Sequence, residues 1–223
     1  VNTVAVRLAL QASPARVAGA ARRLGIASPL GKDASIALGT SEVSLLELTR
    51  AYSVFSNGGR RTKSHVVRRV FTRAGQVLYA YEAKPAKQVV EPMHVAAMND
   101  MLNAAIATGT GRRAAFAGHV AAGKTGTSQD FRDAWFVGFS PNLVVGVFVG
   151  FDEPKPLGRA ETGGRAAAPI FAGIMQRAVG NKPAIPFRVP PGISPVKINA
   201  KTGQPANGEG PGGIPQAFKP GRA

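Results

Sequence analysis

Gly118-His119-Val120-Ala121-Ala122-Gly123-Lys124-Thr125-Gly126-Thr127 is the stretch whose surroundings decide the fold. Its first eight residues fit G-x-x-x-x-G-K-[ST], a phosphate cradle. Its last four, Lys-Thr-Gly-Thr, suit the edge of a strand in an acyl-transfer site. The phosphate cradle works only between a strand and a helix, which aim backbone N–H groups and the helix dipole at the phosphates. Here Lys124-Thr125 is followed by Gly126, Thr127 and Ser128, and no helix-length segment separates Gly126 from Trp135. Val147 to Asp152, followed by Glu153, imitates the apolar strand with a terminal acid that would hold Mg²⁺. Yet the strands around it read as antiparallel, whereas a nucleotide-hydrolysing core is parallel with crossover helices. Nucleotide binding through Gly118–Thr125 is therefore the weakest of three functional readings.

Outward from that stretch the elements follow by period. Residues 134–139 and 143–151 are apolar runs separated by Ser140-Pro141-Asn142, a turn that implies antiparallel pairing. The second run is apolar on both faces, which predicts a central strand. Residues 166–179 carry Ile170, Phe171, Ile174 and Met175 as a closing helix. Upstream, residues 91–107 form an amphipathic helix through Val95, Met98, Leu102 and Ile106, broken by Gly109-Thr110-Gly111. Residues 64–72 and 76–81 predict a hairpin about Ala74-Gly75. Ser44 with Glu47 is a capping box opening a helix with Leu45, Leu48, Tyr52 and Phe55 inward, ended by Asn57-Gly58-Gly59. Ser13-Pro14 opens another helix that stops at Gly25. Residues 1–12 fit a strand by alternation or a buried helix by their alanines. The order is α+β, helices packed on an antiparallel sheet. Residues 1–180 make the folded unit. Residues 181–223 hold nine of the 17 prolines and read as an extended or disordered tail.

Composition bounds the function. With 223 residues and 44% hydrophobic content there is enough for a folded core. No apolar run reaches the roughly 18 residues needed to cross a bilayer, and no signal peptide or initiator Met opens the chain, which reads as a piece of a longer protein. The absence of Cys removes disulfide, thiolate and Cys-ligated metal chemistry. The net charge of +16 invites nucleic acid. However, the basic residues are scattered (Arg22–Arg23, Arg60–Arg61, Lys63, Arg68–Arg69, Arg112–Arg113), and aromatics, 7% of the chain, do not alternate with them as a stacking platform requires. A non-catalytic basic module for nucleic acid or an envelope polymer is kept as the alternative, with no nucleic-acid partner expected. His65 and His94 lack ligand spacing, and no metal or cofactor is expected. Asp130, Asp133 and His119 read as cap, turn or surface residues.

Lys-Thr-Gly-Thr meets the needs of a serine acyl-transferase whose peptide substrate ends in a carboxylate. It offers an ammonium, two hydroxyls and a glycine that lets a second backbone approach. A second copy, Lys201-Thr202-Gly203, sits in the Pro-rich tail and reads as a turn.

Lys124 to Thr127, followed by Asp133-Ala134-Trp135-Phe136-Val137-Gly138-Phe139, resembles the third motif and following hairpin of penicillin-binding protein transpeptidase domains. Ala37 to Val43, Ala51-Tyr52 through Gly59, Gly109-Thr110-Gly111, Gly163 through Phe171, and the tail from Pro190 to Gly221 resemble the bifunctional class A enzymes. The family uses S-x-x-K, S-x-N and K-T-G motifs. Asn2 to Leu8 resembles the segment that starts at the Asn of S-x-N, so the resemblance places that Ser, and S-x-x-K further upstream, outside these residues. Ser194-Pro195-Val196-Lys197 and Ser140-Pro141-Asn142 spell those motifs by chance, the first in the tail and the second in a turn. The resemblance implies an antiparallel sheet flanked by helices, of penicillin-binding protein and serine β-lactamase type, incomplete at its N-terminus and leaving some apolar surface exposed. It implies Lys124 at a proton relay and the substrate carboxylate, Thr125 and Thr127 on that carboxylate with Gly126 between them, the Thr127 N–H as an oxyanion donor, and Asn2 on the substrate amide. The implied partners are peptidoglycan stem peptides, β-lactams in the intact protein, and the missing N-terminal half of the domain. The implied location is the extracytoplasmic face of the bacterial inner membrane, anchored by upstream sequence.

Overall fold

The computed structural model describes residues 2–199 and 213–218. Its centre is a three-stranded antiparallel sheet, β5 (Ala122–Thr127), β6 (Ala134–Ser140) and β7 (Leu143–Val149), in that order. The register runs from Ala122↔Phe139 to Thr127↔Ala134, then from Ala134↔Val149 to Ser140↔Leu143. A 3₁₀ turn at Gln129–Phe131 links β5 to β6. Residues 126–134 therefore hold no α-helix and no parallel strand lies beside them, which removes the nucleotide reading. Ser140 pairs with Leu143, so the β6–β7 turn is the dipeptide Pro141-Asn142 rather than three residues.

Helices cover both faces of the sheet. On one lies α5 (Ala168–Val179), entered through a π-turn at Gly163–Ala167. Its Phe171 and Met175 are fully buried with Phe136, Val147 and Ala168, and the Phe136 and Phe171 rings lie 4.7 Å apart. Truncating such a ring to alanine costs about 3–5 kcal/mol. Ile170 and Ile174, the two isoleucines of this helix, are 46% and 43% exposed because they lie to the flank of the buried Phe171–Met175 row. On the other face, α3 (Leu45–Ser56) and α4 (Pro92–Ala107) bring Tyr52, Phe55, Met98 and Leu102 onto Ala122, Phe139 and Val144. The capping box of Ser44 and Glu47 is formed in full, and the deepest residues of α3 are Ala51 and Val54.

One expectation is corrected. Among the described residues β7 lies at the edge of the sheet, with β6 between it and β5. Its two-sided apolarity has another cause: Val145, Val147 and Val149 face α5, while Val144 faces the α3–α4 layer. Apolar residues on both faces report covered faces, not paired edges.

The N-terminal segment resolves as helices α1 (Asn2–Ala12) and α2 (Pro14–Leu24), the latter closed by left-handed Gly25 at φ 112°. Ser13 precedes α2 as foreseen but makes no side-chain cap bond. The hairpin about Gly75 forms as β2 (Arg69–Phe71) and β3 (Val77–Ala80), shorter than the runs that predicted it and exposed throughout. A short pair missed by the sequence, β1 (Arg60–Arg61) with β4 (Lys87–Gln88), closes its base. In the tail, β8 (Ser194–Asn199) pairs antiparallel with β9 (Gly213–Phe218), and β9 lies against α4. Ser194–Lys197 is therefore on a strand, while Lys201-Thr202-Gly203 lies outside the described residues.

Candidate active site

β5 is an edge strand, so one side of its backbone has no strand partner among the described residues. α4 flanks its start, where Asn103 Nδ2 donates to the Ala121 carbonyl at 2.7 Å. Successive residues of a strand point to opposite faces. Lys124 and Thr125 nonetheless meet, because the lysine curls around the edge: its Nζ donates to Thr125 O at 2.9 Å and lies 3.4 Å from Thr125 Oγ1. Enough protein surrounds the ammonium to lower its pKa by desolvation, although the residue as a whole stays open to solvent. That direction eases loss of its proton.

Two neighbouring segments hold the threonines. Thr110, in the break after α4, has its hydroxyl 2.8 Å from Thr125 Oγ1. Gly163, at the start of the π-turn, donates its N–H to Thr127 Oγ1 at 3.1 Å. Both glycines of Gly163-Gly164 are required by space. A Cβ at Gly163 would strike the carbonyls of Gly126 and Trp135, and one at Gly164 would strike the carbonyl of Thr110. Gly126 lies against the Trp135 side chain, where a Cβ would meet Trp135 Cβ at 3.0 Å. The cluster thus presents one ammonium and three hydroxyls beside an open strand edge, an arrangement suited to a carboxylate-terminated extended peptide.

The family model of the penicillin binding protein transpeptidase domain matches residues 2–176. The chain belongs to the penicillin-binding protein transpeptidase family. It is 33% identical to penicillin-binding protein 1A of Rickettsia conorii over 98% of this chain and 30% of that protein. It is 37% identical to penicillin-binding protein 1A of Neisseria gonorrhoeae over 86% of this chain and 25% of that protein. Among solved structures it is similar to penicillin-binding protein 1A of Haemophilus influenzae, with TM-score 0.87, 26% identity, and coverage of 99% of this chain and 38% of that one. It is also similar to PonA1 of Mycobacterium tuberculosis in complex with penicillin V, with TM-score 0.75, 27% identity, and coverage of 83% and 55%. The chain thus spans about a third or less of the curated relatives named here.

Within this transpeptidase-family chain, Lys124, Thr125, Gly126 and Thr127 stand together on β5. Asn2 opens α1, is exposed, and makes no hydrogen bond to them among the described residues. Thr110, Gly163 and Gly164 were not foreseen as site residues. The short spacing of Gly109-Thr110-Gly111 and the Gly163-Gly164 pair mark breaks in the chain, but not which strand each break touches. Asp130 sits at φ 58° in the β5–β6 link and pairs with Arg132 at 3.2 Å, and Ser128 Oγ accepts the Asp133 N–H at 2.8 Å. These are turn roles. His119 stacks on Phe116.

Proposed function

We propose that this chain carries the Lys-Thr-Gly-Thr half of a serine-type D,D-transpeptidase site in a bifunctional penicillin-binding protein. The substrate is a peptidoglycan stem peptide ending in D-alanyl-D-alanine. The reading rests on one observation above all: Lys124 reaches around the free edge of an antiparallel strand to the hydroxyl side of Thr125, beside Thr127.

In this mechanism a serine oxygen attacks the carbonyl of the penultimate D-alanine. The C–N bond to the terminal D-alanine breaks, and that residue leaves as its amine carrying the serine's proton. An amine of a neighbouring stem peptide then takes the acyl group and returns a proton to the serine. Thr125 and Thr127 hydroxyls hold the terminal carboxylate, the Lys124 ammonium offsets its charge and takes part in proton movement, and the Thr127 N–H faces the developing oxyanion. We assign the serine and its S-x-x-K lysine to polypeptide upstream of these residues, Asn2 to the substrate amide, and the whole to the extracytoplasmic face of the inner membrane. A β-lactam enters as a substrate mimic and stays on the serine.

Labelled penicillin tests this. The longer parent protein should be acylated, and Lys124→Ala in it should slow acylation by about 10²–10³-fold, the usual cost of an electrostatic group at such a centre. The 223-residue chain should take up no label. Acylation of the Lys124→Ala parent at the unaltered rate would remove Lys124 from the site, and a stoichiometric adduct on the 223-residue chain would place the nucleophile within it.

A further inference from the structure

We propose that Thr110 is a positioning residue for the carboxylate pocket: its hydroxyl donates to Thr125 Oγ1 and thereby turns the Thr125 proton outward, toward the substrate. The inference rests on the transpeptidase reading above and deepens it. A hydroxyl has one proton and two acceptor positions. Thr125 Oγ1 has two neighbours, Lys124 Nζ at 3.4 Å and Thr110 Oγ1 at 2.8 Å. An ammonium can only donate. If Thr110 also donates, both acceptor positions of Thr125 are filled from within the protein. Its single proton then has no acceptor among the described residues and points to the open side of β5. Thr127 is treated in the same way, since the Gly163 N–H fills one of its acceptor positions at 3.1 Å. Both threonines are thereby prepared as donors before any carboxylate arrives, which avoids reorganisation on binding.

The backbone around Thr110 is fixed well enough for such a role. Gly109 and Gly111 donate to the carbonyls of Ala104 and Ala105 at 3.1 and 2.9 Å, locking the break onto the end of α4. Gly164 packs directly on the Thr110 carbonyl, and a Cβ at Gly111 would meet Phe136 at 3.2 Å. Thr110 is therefore held between α4, the core and the π-turn, with its hydroxyl fixed on Thr125.

The test uses the parent protein and two probes, benzylpenicillin and its methyl ester, which lacks the carboxylate. Thr110→Val should lower the second-order acylation constant for benzylpenicillin about tenfold, the scale of one oriented hydrogen bond to a charged group. For the ester the change should stay under about twofold, because no carboxylate is present to receive the proton. Thr110→Ser should restore benzylpenicillin acylation, and Thr110→Ala should repeat the valine result without added bulk. Equal losses on both probes would reduce Thr110 to a structural role, and no loss, or a gain, on benzylpenicillin would mean that Thr125 donates to Thr110 instead; either overturns the proposal. If the unaltered parent is not acylated by benzylpenicillin at all, it is the transpeptidase reading that fails.

Discussion

Glu47 shows how one side chain can serve two pieces of structure. As the third residue of α3 it completes the capping box, its Oε2 accepting from the Ser44 N–H at 3.3 Å. It also reaches back to the loop after α2, where Oε1 accepts from the Ala27 and Ser28 N–H groups at 2.8 and 3.1 Å and Oε2 accepts from Ser28 Oγ. These donors, led by the Ser28 hydroxyl and the Ala27 N–H, hold its pKa down from the ordinary 4.5 to about 2. The sign follows from linkage: a carboxylate depressed by folding stabilises the native state in full above its unfolded pKa, and that contribution disappears as pH falls through the folded one. Glu47→Gln should therefore lower the urea midpoint at pH 7 and flatten its fall between about pH 4.5 and 2. Parallel acid limbs for the two proteins would show that Glu47 does not link α2 to α3.

At the scale of elements, the contact of α3 with β7 turns on Gly146. A Cβ there would strike Thr49 Oγ1 and lie 2.9 Å from Leu45 Cδ1. Thr49 cannot swing aside freely, because its hydroxyl donates to the Leu45 carbonyl at 2.7 Å. Gly146→Ala should destabilise by about 1–3 kcal/mol, as overpacking does. Gly173, exposed on α5 with nothing within 4 Å of its missing Cβ, gives the control: Gly173→Ala should stabilise by about 0.5–1 kcal/mol through helix propensity. Paired thermal melts would decide, and a neutral Gly146→Ala would mean that α3 does not seat on the sheet as described. Elements of this kind were legible wherever a local rule fixes them. The capping box, the helix through Val95, Leu102 and Ile106, and the β6–β7 turn follow from neighbours in sequence, and so does the strand at Lys124–Thr127. What stayed hidden was long-range. Nothing local says that Gly163 bonds Thr127, that Thr110 meets Thr125, or that the two apolar faces of β7 meet helices while one of its edges has no strand partner among the described residues. The last inversion arises because face burial and edge pairing leave the same hydrophobic pattern.

The whole molecule carries 28 basic against 12 acidic residues, yet only two ion pairs join described residues, Asp130–Arg132 at 3.2 Å and Glu161–Arg165 at 4.0 Å, both solvent-accessible. Such pairs contribute little. Most of the positive charge is therefore uncompensated, and it is uneven. Residues 60–88 hold eight basic side chains and one acidic, all of them exposed. Arg61 shows the tension directly. Its Nη1 donates to the Arg23 carbonyl at 3.1 Å, a favourable place for a cation at the C-terminus of α2, but the last turn of that helix already carries two cations, Arg22 and Arg23. Self-repulsion of this kind opposes the compact state and is screened over about 10 Å at 0.1 M salt. The melting temperature of the chain at pH 7 should rise as NaCl goes from about 0.02 to 0.3 M, across the range where that screening length contracts. Arg22→Gln with Arg23→Gln should raise the melting temperature at low salt and shrink the rise, because it removes two like charges from the helix end that Arg61 binds without touching its hydrogen bond to the backbone. A melting temperature that falls with salt would mean that attractive pairs outweigh this repulsion and that the basic surface is compensated within the fold.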